Sequence, residues 1–447
     1  MNESISEKLA DAVGRLGEPP REVVERLLVD VAGLCVAARN TDYVRAALAG
    51  WEASGRCTAI GHARALDAGG AAFVNGTAAH GEDFDDTFEG GPIHAGAVIV
   101  PAVLALAERE RLPGPDALRG IAVGVELTCR ASLVAPKLIH KAGFHPTAVL
   151  GAMGAAAAAA TALRLPKNQF VDALGIAGSM ASGIIEYLAE GTWTKRLHPG
   201  WAAQSGIRAA DLARSGFVGP RTVFEGAHGL YHGFARTTSG DWDKLLEGFG
   251  SRWVTNSIAF KLYPCGTMTH PYIDCARRLA KKIRVEDVEE IVCEAAEGTL
   301  HRLWEPLAAK QRPPNAYAAK FSQPYCIASG FVLGNAGLDA FTEERVADAR
   351  LQSLAGKVRY EVDPDNPYPN EYTGHVRVKL KDGTIVEERQ PHLRGGAHEP
   401  LSRADIEDKF RHNCAHGGWS RQQAERFVAF ASTAFDAAPI DLAAFRN

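Results

Sequence analysis

The sequence predicts a mostly helical protein in which a smaller α+β domain is inserted into a larger all-helical one. Three observations predict this architecture. Apolar residues recur at helical spacing from the start of the chain to about residue 262. From about residue 269 the pattern changes to β-branched and alternating runs. Helical patterning then returns at Ser402. We therefore predict an all-helical domain formed by residues 1–268 and 402–447, and an α+β domain formed by residues 269–401.

Six segments of the larger domain carry the helical pattern most clearly. The stretches 148–163 and 170–187 are dense in alanine, glycine and serine, which lets neighbouring helices approach closely. We therefore expect a compact bundle with several fully buried helices. The six predicted helices cover residues 21–38, 96–109, 117–134, 148–163, 170–187 and 201–215.

The α+β domain contains a strong hairpin signal. Two alternating runs, residues 376–381 and 384–389, flank the Asp382-Gly383 pair, which is typical of a tight turn between antiparallel strands. Residues 288–295 and 358–362 are also predicted to be strands. After this block, Ser402 with Asp405 and Ser420 with Gln423 match the capping pattern of helix N-termini.

Composition limits the possible partners and location of the protein. At 447 residues the chain is long for one core, and 46% hydrophobic with 23% charged residues is ordinary for a soluble globular protein. The net charge of −4 and the lack of a long basic run predict no nucleic-acid and no membrane partner. The polar, acidic N-terminus predicts no secretory signal. Eight scattered cysteines without a Cys-x-x-Cys pair predict reduced core thiols and a cytoplasmic location.

The first candidate site is the stretch 80–94, which places clustered acidic residues between His80 and His94 directly after an apolar, alanine-rich run. If the helix continues, His80, Asp83 and Thr87 share one face. If it breaks near Phe84, the carboxylates meet at its C-terminal end and raise one another's pKa, which favours a general base. A divalent metal site and a purely structural helix end are the alternatives. The spacing matches no metal motif, so we predict a metal-free acid/base site.

Three further motifs contain side chains that are candidates for catalysis or substrate binding. Lys195 and His198 lie within four residues after a buried-looking helix, as in a site for a carboxylated substrate, although a solvated loop is the alternative. Cys265 lies where the sequence texture changes, but no spacing pairs this thiol with a base. His145 is predicted at a helix N-terminus, which disfavours its protonated form and leaves it able to accept a proton, unless it is structural.

Taken in order, these motifs resemble the MmgE/PrpD family, which includes 2-methylcitrate dehydratase, cis-aconitate decarboxylase and iminodisuccinate epimerase. The resemblance runs from about residue 5 to residue 430. The matching stretches are 75–80 (NGTAAH), 83–87 (DFDDT), 143–147 (GFHPT), 192–198 (TWTKRLH), 222–226 (TVFEG), 261–265 (KLYPC) and 320–325 (KFSQPY).

The resemblance implies a large helical domain, an α+β lid domain, a homodimer, and a cofactor-free active site in the cleft between the domains. It implies no metal. The implied catalytic residues are Asp83, His145, Lys195, Lys261 and Tyr325, and the implied substrate-binding residues are Thr87, His94, His198 and Cys265.

The activity implied is proton movement at a carbon next to a carboxylate. We predict a lyase of the 2-methylcitrate dehydratase type that removes water from a hydroxylated di- or tricarboxylate. Lysines and His198 would neutralise carboxylates, Asp83 or His145 would take the proton, and Tyr325 or a protonated histidine would protonate the leaving hydroxyl.

Three alternatives remain. An epimerase of a substituted succinate needs the same base and cations. A decarboxylase is disfavoured, because cis-aconitate decarboxylase has a histidine where this chain has Gly266. A non-catalytic helical binding protein is disfavoured by the embedded lysines and histidines.

Overall fold

The computed structural model describes residues 3–91 and 93–447. Met1 and Asn2, which belong to the N-terminal segment interpreted above, and Pro92, which belongs to the acidic motif, lie outside the described residues. The chain forms two compact units, which we call the helical unit (residues 3–258 and 402–447) and the α+β unit (residues 259–401). As predicted, the protein is mostly α-helical.

The helical unit contains fifteen α-helices among its described residues, numbered here along the whole chain. They are α1 (Ile5–Gly14), α2 (Arg21–Ala38), α3 (Asp42–Ala49), α4 (Ala68–Gly81), α5 (Gly96–Glu110), α6 (Gly114–Val134), α7 (Leu138–Lys141), α8 (Pro146–Ala162), α9 (Lys167–Met180), α10 (Tyr187–Glu190), α11 (Thr194–Arg214), α12 (Leu230–Ala235), α13 (Trp242–Leu246), α20 (Arg403–His416) and α21 (Arg421–Ala431).

The predicted helices are present, and one has the predicted bounds: α2 covers residues 21–38. Two others differ. Helix α9 ends at Met180, before the predicted residue 187, and is followed by Ala181 in an extended conformation. Helix α11 begins at Thr194, before the predicted residue 201, and contains Pro199. A proline inside a helix removes one backbone hydrogen bond and crowds the carbonyl four residues earlier, and the packing of α11 against α4 and α8 offsets this cost.

Short strands also occur in the helical unit, so the larger domain is not purely helical as predicted. Strands β1 (Ser54–Thr58) and β2 (Ala65–Leu66) pair in antiparallel fashion. The two-residue strand β3 (Thr87–Phe88) follows the acidic motif. Too few residues alternate in these segments for a strand signal to be visible in the sequence.

A close approach of two buried helices positions the candidate site. Helix α11 packs against α4 and α8. At the crossing, a Cβ on Gly76 would lie 2.7 Å from the Cα of Gly200, and a Cβ on Gly200 would lie 2.1 Å from the carbonyl oxygen of Phe73. Only glycine fits at this contact. Because His80 lies one helical turn beyond Gly76, and His198 lies two residues before Gly200, the contact brings both histidines to the same region.

The α+β unit is built on a four-stranded sheet in the order β6-β5-β7-β8. Strands β5 and β6 are parallel, and β7 is antiparallel to both β5 and β8. The predicted hairpin is confirmed: β7 and β8 pair, and Gly383 in the turn has a φ of +88°. Its strands are β5 (Val288–Ala295), β6 (Val358–Val362), β7 (Gly374–Leu380) and β8 (Ile385–Gln390), and β4 (Ile258–Ala259) lies where the chain enters the unit.

Six described helices complete the α+β unit, and the helix α14 packs against α17 and the sheet strands β7 and β8. The unit begins at Ala259, ten residues before the predicted boundary at residue 269, and the intervening segment contains irregular backbone and a 3-10 turn at Thr267–Thr269 rather than strands. The backbone N–H of Phe260 donates to the carbonyl of Gly395 within the unit. The helices are α14 (His270–Leu279), α15 (Leu307–Gln311), α16 (Ala316–Ala319), α17 (Gln323–Val332), α18 (Glu343–Val346) and α19 (Ala349–Ala355).

Two other expectations are confirmed. Both predicted capping boxes are formed, by Ser402 with Asp405 at α20 and by Ser420 with Gln423 at α21. All eight cysteines are buried and unpaired. Within the described part of the chain, no helix is long and apolar enough to cross a bilayer.

Candidate active site

The acidic motif lies where α4 ends. The helix stops at Gly81, so the prediction of one continuous helical face from His80 to Thr87 is wrong and the alternative of a break before Phe84 is confirmed. Asp83 has a φ of +55°, the left-handed conformation in which helices commonly end on glycine. A residue with a Cβ is strained there, and such strain is concentrated at functional sites. The turn directs the three aspartates of the motif into the buried interior.

Asp83 forms a buried ion pair with Lys195. The Lys195 ammonium donates to Oδ1 of Asp83, and both side chains are less than a tenth exposed. Lys195 lies in the first turn of α11, close to the Gly76–Gly200 contact. An ammonium in a buried setting is a strong attractor for a substrate carboxylate, since low dielectric strengthens the interaction.

His80 and His94 flank the carboxylate of Asp85. The Nδ1 of His80 is 2.7 Å from Oδ2 of Asp85, and neither side chain is exposed. The Nδ1 of His94 is 3.6 Å from the same oxygen and 2.7 Å from the backbone carbonyl of Asp86. The backbone N–H of His94 donates to Oγ1 of Thr147 in α8. These contacts fix the segment between α4 and α5 against the N-terminus of α8.

Two more histidines complete the cluster. His145 is the N-cap residue of α8, as the motif predicted, and its side chain does not cap the helix. Its Nδ1 lies 3.1 Å from the Nδ1 of His198, so one of these two nitrogens carries a proton and the other accepts it. The ring of Tyr187 lies 5.7 Å from that of His198. We call His80, His94, His145 and His198 the histidine cluster.

Burial controls the protonation of the cluster. Burial, followed by electrostatic interaction with His80, His198 and Lys195, holds the pKa of His145 well below its usual range. Burial, followed by His80 and Lys195, lowers the pKa of His198 to about 4. Both imidazoles are therefore neutral at physiological pH, the form that accepts a proton.

Behind the cluster lies a buried carboxyl network. Asp86 accepts a hydrogen bond from the backbone N–H of Gly96, and burial, together with the negative charges of Asp85 and Asp30, raises the pKa of Asp86 to about 8. The Lys409 ammonium in α20 is 2.7 Å from Oδ1 of Asp30 and donates to the carbonyl of Phe84 at 2.8 Å. The C-terminal segment thus anchors the acidic turn.

One group of side chains could hold a metal ion. Within residues 3–91 and 93–447, the ligand atoms of His80, Asp85 and His94 all lie within 4.8 Å of one another. The 2.7 Å between Nδ1 of His80 and Oδ2 of Asp85 is a direct hydrogen-bond distance. Two ligands of a tetrahedral Zn²⁺ at 2.0–2.1 Å would be about 3.3 Å apart. A shared proton accounts for the contact.

Of the predicted site residues, Asp83, His94, His145, Lys195 and His198 come together in the helical unit. Thr87 is also buried there, directly after Asp86. The other three belong to the α+β unit. Lys261 is 4% exposed, and the thiol of Cys265 is 3.0 Å from Oγ1 of Thr269. The roles predicted for these residues remain predictions.

Tyr325 lies in the apolar core of the α+β unit and is fully buried. Its hydroxyl donates to the carbonyl of Ala340 at 2.7 Å. Burial raises the pKa of this phenol above its usual range. Because the phenol proton is already donated to a backbone carbonyl, we assign Tyr325 no role in proton transfer.

The predicted set omitted residues that the structure places in the site. His80 and Asp85 belong to the acidic motif, so their type and position were a usable signal. Asp30 and Lys409 are 379 positions apart in the sequence, and neither lies in a motif. No local pattern could have joined them.

Family models match both parts of the chain. The MmgE/PrpD N-terminal domain matches residues 12–243, and the MmgE/PrpD C-terminal domain matches residues 263–433. The chain therefore belongs to the MmgE/PrpD family, as its motifs predicted.

Characterised relatives are enzymes. The chain is 32% identical to cis-aconitate decarboxylase of Mus musculus over 77% of its own length and 71% of the relative's. It is 32% identical to cis-aconitate decarboxylase of Homo sapiens, with 77% and 72% covered. It is 28% identical to cis-aconitate decarboxylase of Aspergillus terreus, with 88% and 85% covered.

Proposed function

We propose that the protein is a cofactor-independent lyase that removes water from a hydroxylated di- or tricarboxylate, in the manner of 2-methylcitrate dehydratase. One observation carries the proposal: a neutral, buried imidazole, His145, lies in one cluster with the buried Lys195–Asp83 ion pair. A base beside a carboxylate-binding cation is what proton abstraction next to a carboxylate requires.

Lys195 would bind the carboxylate next to the reacting carbon. When the base removes the α-proton, negative charge moves onto that carboxylate, and the ammonium stabilises the resulting aci-carboxylate. Asp83 holds the ammonium in place before substrate arrives. The strained turn at Asp83 keeps this carboxylate aimed at α11.

His145 would take the α-proton, because its imidazole is neutral over the physiological range. The electron pair of the C–H bond then forms the double bond, and the β-hydroxyl leaves as water after receiving one proton. His94, whose ring is 6.5 Å from that of His145, is our candidate donor. The substrate loses one proton and one hydroxide, so the products are an unsaturated acid and water.

Decarboxylation is the second candidate, since the relatives named above are cis-aconitate decarboxylases. The resemblance places a histidine at position 266 in such enzymes, and this chain has glycine. Gly266 does not need to be glycine for its backbone: its φ is −57°, and an added Cβ would meet nothing closer than 3.5 Å. The backbone and a Cβ atom are therefore tolerated at position 266, and circular dichroism checks that Gly266→His folds. Carbon dioxide release from cis-aconitate that appears only in this variant would support dehydration as the native reaction.

The experiment is proton NMR of the purified protein with a panel of 2-methylcitrate, citrate, cis-aconitate and substituted succinates in D₂O. We expect an alkene signal from a hydroxy acid. Deuterium exchange with inversion and no alkene would show an epimerase instead. Loss of a carboxylate from cis-aconitate by the unmodified protein would show a decarboxylase.

We also propose a cytoplasmic homodimer. Eight unpaired cysteines are consistent with a reducing compartment. Ile184, Leu188 and Trp193 are at least half exposed on one short stretch beside α11, and exposed apolar patches commonly mark contact surfaces. Light scattering after size-exclusion chromatography tests this: a mass of one chain would contradict it.

A further inference from the structure

A cavity of the helical unit lies at the end of α8 that is farthest from His145. It has a volume of about 660 Å³, which is within the range of small-molecule binding sites. Thr161 of α8 lines this cavity and follows the N-cap residue His145 by sixteen positions, so the two lie roughly 24 Å apart along the helix. We call the cavity the α8-end pocket. It is separate from the candidate active site.

Four cationic side chains from four segments of the chain line the α8-end pocket. Arg15 directly follows α1, and Arg119 belongs to α6. Arg164 lies between α8 and α9, and Lys167 is the first residue of α9. Asp11 of α1 also lines the pocket. Because residues far apart in the sequence bring like charges to one cavity, the pocket is a candidate site for an anion.

Two of these cations already have carboxylate partners. The ammonium of Lys167 is 2.8 Å from Oδ2 of Asp11 and 3.0 Å from Oε1 of Glu3. The guanidinium of Arg164 is 2.7 Å from Oδ1 of Asp116. The side chains of Lys167 and Arg164 are 47% and 74% exposed, so these pairs contribute little stability and are able to exchange partners.

The other two cations have no such partner. Within residues 3–91 and 93–447, the guanidinium groups of Arg15 and Arg119 form no ion pair and donate no hydrogen bond. Both residues are exposed. A guanidinium stays charged over the physiological pH range, and its paired N–H donors match the oxygens of a carboxylate or a phosphate. Four cations therefore face the three carboxylates named above, which leaves the pocket with a net positive charge.

Neutral donors accompany the charges. Thr161 is 7% exposed, and its hydroxyl is buried without a hydrogen-bond partner among the described residues. Buried polar atoms are normally paired, so an unpaired hydroxyl in a cavity wall points to a ligand. Helix α9 begins at the same wall, and its N-cap residue Pro166 has no side-chain acceptor for the N–H groups of the first turn. Such N–H groups favour an anion.

We propose that the α8-end pocket binds a small anion with two or more negative charges, held by the guanidinium groups of Arg15 and Arg119 and by the hydroxyl of Thr161. Phosphates and polycarboxylates share this chemistry, since both present several anionic oxygens to N–H and O–H donors. The ring of Phe170 also lines the pocket and would contact the carbon part of an organic anion. The inference does not depend on the proposed function, because none of these residues belongs to the histidine cluster.

The test is isothermal titration calorimetry of the full-length protein with pyrophosphate and, separately, with propane-1,2,3-tricarboxylate at low ionic strength, where charge pairing is least screened. We expect binding that persists in Lys195→Ala, which lacks the cation of the candidate active site. Arg15→Gln combined with Arg119→Gln should raise the dissociation constant about tenfold or more, because two charged hydrogen-bond donors are lost. Both arginines are exposed, so the fold should be kept, and circular dichroism checks this.

Arg208→Gln combined with Arg236→Gln is the matched control, because it removes two exposed arginines of the helical unit that lie outside the pocket. It should leave the dissociation constant unchanged. Thr161→Val keeps the shape of the side chain without its hydroxyl and should also weaken binding. Binding of pyrophosphate alone would assign the pocket to a phosphate, and binding of the tricarboxylate alone would assign it to a polycarboxylate. Unchanged binding in the pocket variants, equal weakening in the control, binding lost only in Lys195→Ala, or no binding of either anion would overturn the inference.

Discussion

Two of the places where the helical unit buries charge differ in how completely the charges are paired. In the first, Glu126 and Arg130 form an ion pair one helical turn apart in α6, with 2.5 Å between Oε1 and Nε. In the second, the histidine cluster lies among the carboxyl groups of Asp85 and Asp86. Both are shielded from solvent, so burial alone does not distinguish a structural pair from an active site.

The pairing does distinguish them. Glu126 also accepts from the backbone N–H groups of Val254 and Thr255. Arg130 donates to the carbonyls of Glu247 and Arg252. In the histidine cluster, Nε2 of His80 and Oδ1 of Asp86 find no partner within the part of the chain that the structure describes. A network in which every polar group has a hydrogen-bond partner stabilises the fold. A network with groups that lack a partner leaves those groups able to exchange protons.

The largest effect on stability should come from the saturated network. Arg130→Met would leave Glu126 buried without its cation, so the free energy of unfolding should fall by about 3–5 kcal/mol. Urea denaturation measures this. The exposed ion pair of Arg284 with Asp287 supplies the control, because Arg284→Met should cost no more than about 1 kcal/mol. The kcat/KM of folded Arg130→Met should be unchanged. A loss of activity without a loss of stability would show that this ion pair serves the reaction rather than the fold.

The largest effect on activity should come from the charged side chains beside the histidine cluster. Lys195→Ala removes the cation that stabilises the aci-carboxylate, so kcat/KM should fall by about 10²–10³-fold. Circular dichroism should show an intact fold. Lys167→Ala, which removes a half-exposed lysine, is the control and should leave kcat/KM unchanged. An unaffected rate in Lys195→Ala would remove this residue from the mechanism.

A pH-dependent effect should come from Asp86. Because burial and neighbouring carboxylates raise its pKa to about 8 in the folded protein, the folded state keeps a proton that the unfolded chain releases near pH 4. Stability contributed by this group is therefore lost as pH rises from about 4 to about 8. Asp86→Asn lacks this loss, so its stability relative to the unmodified protein should rise by about 2–4 kcal/mol between pH 5 and pH 8. Equal differences at both pH values would contradict a protonated Asp86.

The smallest effect should come from the helix contact that assembles the cluster. Gly76→Ala forces α4 away from α11 and should lower the free energy of unfolding by about 1–3 kcal/mol. It should also lower kcat/KM, because His80 and His198 separate. Gly233→Ala in α12, where an added Cβ meets nothing within 4 Å, is the matched control. A variant that is destabilised but fully active would show that the contact serves stability only.

Sequence periodicity predicted most of the fold because helices and hairpins are local. Helix α2 and the turn at Gly383 follow from residues within one segment. The early start of α11 was missed because Pro199 looked like a helix boundary. Proline disfavours the helical conformation of the residue before it, but this local preference does not decide the boundary where tertiary packing holds the helix.

The site was predictable where its residues lie in one motif, as for Asp83 and His94. It was not predictable where partners come from distant segments, as for Lys409 with Asp30.

The most direct test of the central claim is absorbance near 240 nm when the EDTA-treated protein is mixed with 2-methylcitrate or citrate, with His145→Gln as the control. The account predicts a rising signal from a hydroxy acid that the variant loses. A signal that His145→Gln retains in full would contradict the assignment of the base. No signal from any hydroxylated di- or tricarboxylate would contradict dehydration as the reaction.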